Sequence, residues 1–581
     1  MDTLRRTWRF ELVFTALMLV LVGLGARLAI LVRDSSEEIT RRALRQEVIR
    51  QPIPARVGSV YGRTRGRSVL LAGSHQVPSC FVDPALVEED RIDEVAIAVA
   101  EVLDVSAWEI QQIILRRRTG RFAWVQREIT REQARRVRAL KLRPVGILYE
   151  WRRQYPNGRL ASDILGFRRR DGVAGGGLEL AMDEHLDAND GKRVMLADAR
   201  RRAIWPVPGE SHLPRDGRNV YLCMDVVIQG YLQRAVSESV SRFGAKWGTG
   251  VVMNPRTGEI LAMCSDPTFN PNEYNLADPN HMTPHAVSSP YEPGSIFKPL
   301  ITASAVQLGL LDYDTKLPIG QYNGVYRAHR GGRISDHGKA YSDLTVEDGV
   351  VFSSNIAMSK IGEILGNERM YKIVRAYGFG GKTHLPLKGE SAGIVRDARK
   401  WDGYSLRRVP FGQEIAATAV QLTSAFACLV NGGELIQPRL IDRLVEPDGT
   451  VVYRSRRRVV RRLISPAVSK RTREVLAQVV ERGTGERCRM EKWTSFGKTG
   501  TAQIPGPDGY VDNAYTASFI GGAPVGKPAV ICLISVYWPD HSRGHYGSTV
   551  AAPYVREVLE QTLEYLDVPS DRPETLTARR W

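Results

Sequence analysis

The chain has 581 residues, 43% of them hydrophobic and 25% charged, the composition of a folded globular protein rather than a disordered or low-complexity one. That length gives room for two or three domains with full-sized cores. The net charge of +17 is spread along the chain instead of being gathered into a basic tail, which speaks against a nucleic-acid-binding arm.

The first predicted element is a membrane span. "MDTLRRTWRFELVFTALMLVLVGLGARLAILVRDSS" places Arg5, Arg6 and Arg9 ahead of an apolar run over 12–32, interrupted only by Arg27. A run of that length crosses a bilayer with some tilt. Leading arginines hold the N-terminus in the cytoplasm, so the remainder is exported. Arg27 can snorkel to the interface. No small-residue cleavage site follows, so the segment reads as an uncleaved single-pass anchor. The expected organisation is a cytoplasmic N-terminus (1–10), the anchor (11–33), an exported membrane-proximal domain (34–210), a second domain (215–567) and a tail (568–581).

Beyond the anchor, the charged stretch 35–50 is expected to be a helical stalk. Residues 52–206 mix short strand-like runs with basic helices such as "REQARRVRAL". The turn-rich "GESHLPRDGRN" (209–219) marks a boundary. "MDVVIQGYLQRAVSESV" then opens with Asp225 as a helix cap and repeats Ile228, Leu232, Ala235 and Val236 at helical period. "WGTGVVMNPRTGEILAMCS" predicts a hairpin turning at 255–258. Near the C-terminus "FGKTGTAQI", "AYTASFIGGAP" and "PAVICLISVYW" predict three strands in succession, and a helix follows over 551–566. One helix, two strands, a long mostly helical insert, three strands and a last helix imply an α+β fold with an antiparallel sheet between helices.

Two other features are placed by their chemistry. Six cysteines lie scattered, without C-x-x-C or metal-ligand spacing; Cys223, Cys264, Cys428 and Cys532 fall in apolar stretches, as buried reduced thiols do. His541 and His545 in "HSRGH" lack a third ligand, so neither metal nor cofactor is expected. The densest basic run, "RSRRRVVRR" (454–462), follows a predicted hairpin, "LVEPDGTVVYR". It lacks the interleaved aromatics that stack bases, so it reads as a solvated edge facing an anionic partner and not as a nucleic-acid site.

The chemistry is carried by three short elements. "YEPGSIFKPL" holds Ser295 and Lys298 one helical turn apart, where the two side chains share a face. "VVFSSNIAMSK" holds Ser353 and Asn355, and "GKTGTAQ" holds Lys498, Thr499, Gly500 and Thr501. A second S-x-x-K at Ser495–Lys498 warns that one pair decides nothing. S-x-x-K, S-x-N and K-T-G in that order are nonetheless the signature of penicillin-recognising serine acyltransferases. A P-loop reading of "GKT" fails, because Lys492 stands where its first glycine belongs.

On these motifs the chain resembles the class B penicillin-binding proteins, monofunctional peptidoglycan D,D-transpeptidases, over nearly its whole length. "ARVGSVYGRTRGRSVLLA", "YPNGRLASDILGF" and "GGGLELAMDEHL" resemble the family's linker and pedestal segments, although Gly62-Arg-Thr-Arg-Gly66 departs from the usual Asp-Arg-Asn-Gly turn. "EPGS", "SSNIAMSKIGEILG" and "RAYGFG" are closer to the cell-division branch than to the elongation branch.

The resemblance implies a pedestal domain followed by a transpeptidase domain with a five-stranded antiparallel sheet, and Ser295 as the acylated nucleophile. It implies Lys298 as base, its pKa lowered by burial and by the charge of Lys498, and Ser353 as a proton relay. Asn355 would hold the substrate amide or orient Lys298. Thr499 and Thr501 would take the terminal carboxylate, with the N–H groups of Ser295 and Thr501 as oxyanion hole. Gly497 and Gly500 would let substrate backbone run close to the strand. Expected partners are stem peptides, β-lactams, a separate glycosyltransferase and division membrane proteins, at the bacterial cytoplasmic membrane. An elongation-type transpeptidase, a carboxypeptidase, a β-lactamase and an idle sensor or scaffold remain as rivals.

Overall fold

The computed structural model describes residues 2–197, 203–207, 209–328, 332–336, 339–507 and 509–572; for 2–7, 9, 32–52, 197 and 203–204 only the backbone is described. Part of the expected tail, 573–581, lies outside the described residues. By contacts the chain divides into two units, 1–56 with 188–216, and 57–187 with 217–581.

The first unit carries the long helix Asp2–Glu47. Its stretch Phe10–Leu31 is apolar and long enough to cross a membrane, the one such helix among the described residues. The stalk helix stops earlier than expected. Val48–Ile53 is a strand, antiparallel to Gly191–Ala197, which in turn pairs with Ala203–Pro206. The partner strand lies far along the chain, so nothing local in "VIRQPI" marks the switch.

In the second unit the central sheet is built from β1 (Trp247–Met253), β2 (Ile260–Asp266), β3 (Phe496–Gly506), β4 (Gly509–Ala523) and β5 (Val530–Tyr537). Their order is β2-β1-β5-β4-β3, antiparallel throughout. The expected hairpin and three strands thus join into the expected five-stranded sheet. β5 sits in the middle, which explains its unbroken apolar run: both of its faces are buried. Ile531 and Leu533 point into one core with Val251 and Met253, while Cys532, Ile534 and Val536 point into the other with Val252.

Helices α1 (Val226–Arg242) and α6 (Ala552–Tyr565) cover one face; α4 (Ala419–Val430) and α5 (Pro466–Arg482) cover the other, where α2 (Lys298–Gln307) and α3 (Asn355–Ala376) join the same core. Asp225 caps α1 as expected, accepting from Val227 and Ile228 N–H. All six cysteines are buried and unpaired.

A second, seven-stranded sheet explains why 57–187 clusters with the C-terminal region. Its outer strand Val451–Arg454 pairs with Ile441–Val445, then come Asn219–Asp225, Val60–Thr64 and Arg67–Val82. Val60–Thr64 runs parallel to Asn219–Asp225, so the linker-like segment is woven into the strand that leads to α1. Its unusual turn closes as a two-residue hairpin, with Arg65 (φ 42°) and Gly66 (φ 80°) both left-handed. The pedestal-like segments meet in a buried ion cluster: Glu179 accepts from Arg153 at 2.6 Å, from Arg168 at 3.2 Å and from Tyr155 Oη at 3.0 Å.

Candidate active site

Ser295 lies in a tight 3-10 turn, Gly294–Phe297, that runs directly into α2 at Lys298. It is therefore one turn ahead of the α-helix proper rather than its first residue. The turn is anchored by buried Ile296 and Phe297, whose ring packs on Phe379 at 5.2 Å. Gly294 has φ +55°, and a Cβ there would meet Thr501 O at 3.1 Å, so only glycine allows the turn to approach β3 this closely. Its N–H donates to Gly412 O. Ser295 is half-buried, and among the described residues its hydroxyl has no hydrogen-bond partner, the Lys298 amine included.

Lys298 is fully buried. Its Nζ donates to Ser353 O at 2.5 Å, to Asn355 Oδ1 at 2.8 Å and to Ser353 Oγ at 3.1 Å. Lys498, on β3, is also fully buried, and its Nζ donates to the same Ser353 Oγ at 2.9 Å. One hydroxyl thus joins two lysines 200 positions apart in sequence. Ser353 holds this place at a conformational cost: its φ is +63°, which a non-glycine residue adopts only under constraint, at about 1–3 kcal/mol. The residue that caps the helix beginning at Asn355 is its neighbour Ser354, which accepts from Ala357 N–H at 3.0 Å. Asn355 donates its amide to Ser335 O at 3.0 Å, which leaves its oxygen for Lys298 and favours the orienting role.

Burial and charge move both lysines in one direction. Lys298 is lowered to about 7 by burial, with the Asp336 carboxylate opposing that shift. Lys498 falls well below the usual lysine range through burial and through the neighbouring Lys298 charge. Burial lowers Lys298 as expected, and the repulsion between the two ammonium groups is mutual, so it belongs to the pair. Two ammonium groups sharing one hydroxyl in a dry site cannot both stay charged near neutral pH.

Several residues of this network escaped sequence reading. Asp336 is buried and accepts from Ser354 Oγ at 2.7 Å, Asn355 N at 2.6 Å and Ile356 N at 3.1 Å, so it caps α3 and faces Lys298 through Asn355. It sits alone in "RISDHGK", without a motif to announce it. Thr484 shares a 2.8 Å hydrogen bond with Thr499. Glu292, three residues before Ser295, accepts from Tyr510 Oη at 3.0 and 3.2 Å and from Glu414 N at 2.9 Å; burial pushes it up to about 7.

β3 is an edge strand of its sheet, paired among the described residues only with β4. Thr501 is half-buried there, its Oγ1 accepting from Gly547 N at 3.1 Å. The glycines of this strand also serve the protein's own packing. A Cβ at Gly497 would strike Phe519 at 2.6 Å, and one at Gly500 would meet Ser518 Oγ at 2.5 Å and Pro293 O at 3.0 Å. Ser495, the decoy serine, is buried and donates to Cys488 O, on extended chain where i and i+3 face opposite ways. His541 and His545 stack on each other at 4.1 Å, and no cluster of potential metal ligands occurs among the described residues.

A solvent-reachable hydroxyl, two buried lysines that cannot both be charged and a hydroxyl between them suit acyl transfer through a serine ester. Residues 248–560 match the penicillin-binding protein transpeptidase domain. The chain belongs to that family. Residues 52–222 match the penicillin-binding protein dimerisation domain, so this penicillin-binding protein carries the expected pair of domains. It is 28% identical over 572 residues to the PenA protein of Neisseria meningitidis, covering 98% of this chain and 95% of PenA. To the peptidoglycan D,D-transpeptidase FtsI of Escherichia coli it is 26% identical over 571 residues, 97% of this chain and 93% of FtsI. Penicillin-binding protein 3 of Mycobacterium tuberculosis, solved in complex with aztreonam, superposes with a TM-score of 0.69 at 26% identity, covering 90% of this chain and 99% of that one.

Proposed function

We propose that this penicillin-binding protein is a peptidoglycan D,D-transpeptidase acting through an acyl-enzyme on Ser295. The observation that carries this reading is the shared bond of Ser353 Oγ with Lys298 and Lys498, beside the half-buried Ser295. Neutral Lys298 takes the Ser295 proton as Oγ attacks the penultimate D-Ala carbonyl of a donor stem peptide. The N–H groups of Ser295 and Thr501 hold the oxyanion. As the C–N bond breaks, the leaving D-Ala amine collects a proton relayed through Ser353 from the lysine pair. The amine of a second stem peptide then attacks the ester, returns its proton along the same path and frees Ser295 with the cross-link made. Lys498, Thr499 and Thr501 receive the donor's terminal carboxylate, with Gly500 keeping the strand close to the Ser295 turn. A β-lactam enters the same path, but its leaving amine stays tethered and blocks the acceptor.

Residues 34–210 serve as pedestal and 215–567 as the catalytic part. The leading arginines place the N-terminus in the cytoplasm and catalysis outside the bacterial cytoplasmic membrane. Cross-linking needs nascent glycan, hence a separate glycosyltransferase partner, and the division-type motifs place the work at the septum with other division membrane proteins. Labelling with fluorescent penicillin tests the site: Ser295→Ala should abolish the covalent band while Ser495→Ala retains it. A labelled Ser295→Ala protein would overturn the assignment. Localisation of a fluorescent fusion to the side wall instead of midcell would replace the septal role by elongation.

A further inference from the structure

The arginine run following the hairpin has no part in this chemistry, yet its surroundings are built. Strand Val451–Arg454 is the outermost of the seven-stranded sheet, paired with Ile441–Val445 on one side and, among the described residues, with no strand on the other. Its side chains stand in solvent, Val451, Val452 and Tyr453 being 46, 46 and 50% exposed. An exposed apolar edge is ordinarily shortened, covered or charged, because its free N–H and C=O groups recruit another strand. Beside it lies a groove of about 670 Å³ with Ile441, Leu444, Val452 and Tyr453 along its wall and Arg456 and Arg458 at its rim.

The charges around this groove are unevenly committed. Arg439 pairs with Glu259, and Arg457 and Arg462 both pair with Glu434. Among the described residues Arg458 reaches only the neutral Gln437 Oε1, and Arg454 and Arg456 have no side-chain hydrogen bond or ion pair. Uncompensated cations flanking an open strand and an apolar groove call for an occupant that offers backbone, apolar side chains and carboxylates together. A lipid headgroup supplies only the anion. We infer that this edge and groove bind an extended, acidic segment of an exported protein partner by strand addition: its backbone pairs along Val451–Arg454, its apolar residues enter the groove, and its carboxylates meet Arg454, Arg456 and Arg458.

The test uses the full chain in neutral phosphatidylcholine nanodiscs and fluorescence anisotropy of short labelled peptides. A peptide alternating glutamate and valine should bind saturably. Its lysine–valine counterpart should not, and N-methylation of alternate amides should weaken binding at least about tenfold, as should Arg454→Glu combined with Arg456→Glu. Penicillin labelling of Ser295 should be unchanged in that variant, which separates this inference from the catalytic one. Failure of the glutamate–valine peptide to bind overturns the inference, and so does binding indifferent to N-methylation or to charge reversal. Arginine-dependent capture of added phosphatidylglycerol vesicles, with no peptide binding, would reassign the surface to lipid.

Discussion

Replacing Asp336 by Asn isolates the charge that opposes the lowering of Lys298. One residue separates the two groups: Asn355 N–H donates to Asp336 at 2.6 Å, and Asn355 Oδ1 accepts from Lys298 at 2.8 Å. For a bridge of that kind a separation on the order of 7 Å, at an effective dielectric of about 20, amounts to ~2.4 kcal/mol, or roughly 1.7 pH units. Asn caps helices as well as Asp does, so α3 keeps its start.

Removing the carboxylate takes away stabilisation of the ammonium, and the Lys298 pKa falls from about 7 to between about 5 and 6. Acylation needs the neutral amine, so its rate climbs as pH rises through that pKa, and the acid limb should move to lower pH by the same amount. At pH 6 about a tenth of wild-type Lys298 is neutral, against about four fifths in the variant, so acylation there should be up to about eightfold faster. The measurement is the second-order rate of fluorescent-penicillin acylation as a function of pH, with the fraction of active enzyme titrated separately. A limb that stays put, or moves to higher pH, refutes Lys298 as the base or Asp336 as the charge that sets it.

Ser353→Gly removes the hydroxyl shared by the two lysines while tolerating the positive φ, so acylation should drop at least about 10²-fold with the fold retained; acylation at the wild-type rate would refute the relay. The penicillin adduct should last many minutes: the sequence has no E-x-x-L-N, the motif that carries the water-activating carboxylate of class A β-lactamases, and in its nearest look-alike, "EILGN" (363–367), Glu363 is held by Lys360, Arg407 and Tyr326. Missing one general base costs on the order of 10²–10⁴ in rate, so a chase with unlabelled drug that clears the label in seconds would favour a hydrolase. A chain beginning at Val48, which keeps the strand paired with Gly191–Ala197, should leave the membrane and still be acylated. Removing that strand as well should lower its melting temperature, and equal stability of the two truncations would show the pairing to be dispensable.

The readable parts of this protein are those whose cause is local. The apolar run over 12–32 carries its own hydrophobic length, and Asp225 caps a helix whose apolar period follows it at once. The hairpin around 255–258 has its turn residues beside its strands. Ser295, Lys298, Ser353, Asn355 and Lys498 were each legible as motif letters. Their meeting was not. Ser353 Oγ joins Lys298 to Lys498 only because β3 forms the sheet edge next to the Ser295 turn, and because Ser353 is held at positive φ. Asp336 matters through a cap on a helix nineteen positions onward, and the lowering of both lysines comes from burial that no neighbouring residue announces. β5 entering between β1 and β4, and Val60–Thr64 pairing with Asn219–Asp225, likewise depend on partners far along the chain. Residue type and spacing determine what each group can do, whereas desolvation and long-range strand pairing determine which protonation state it holds and what it touches.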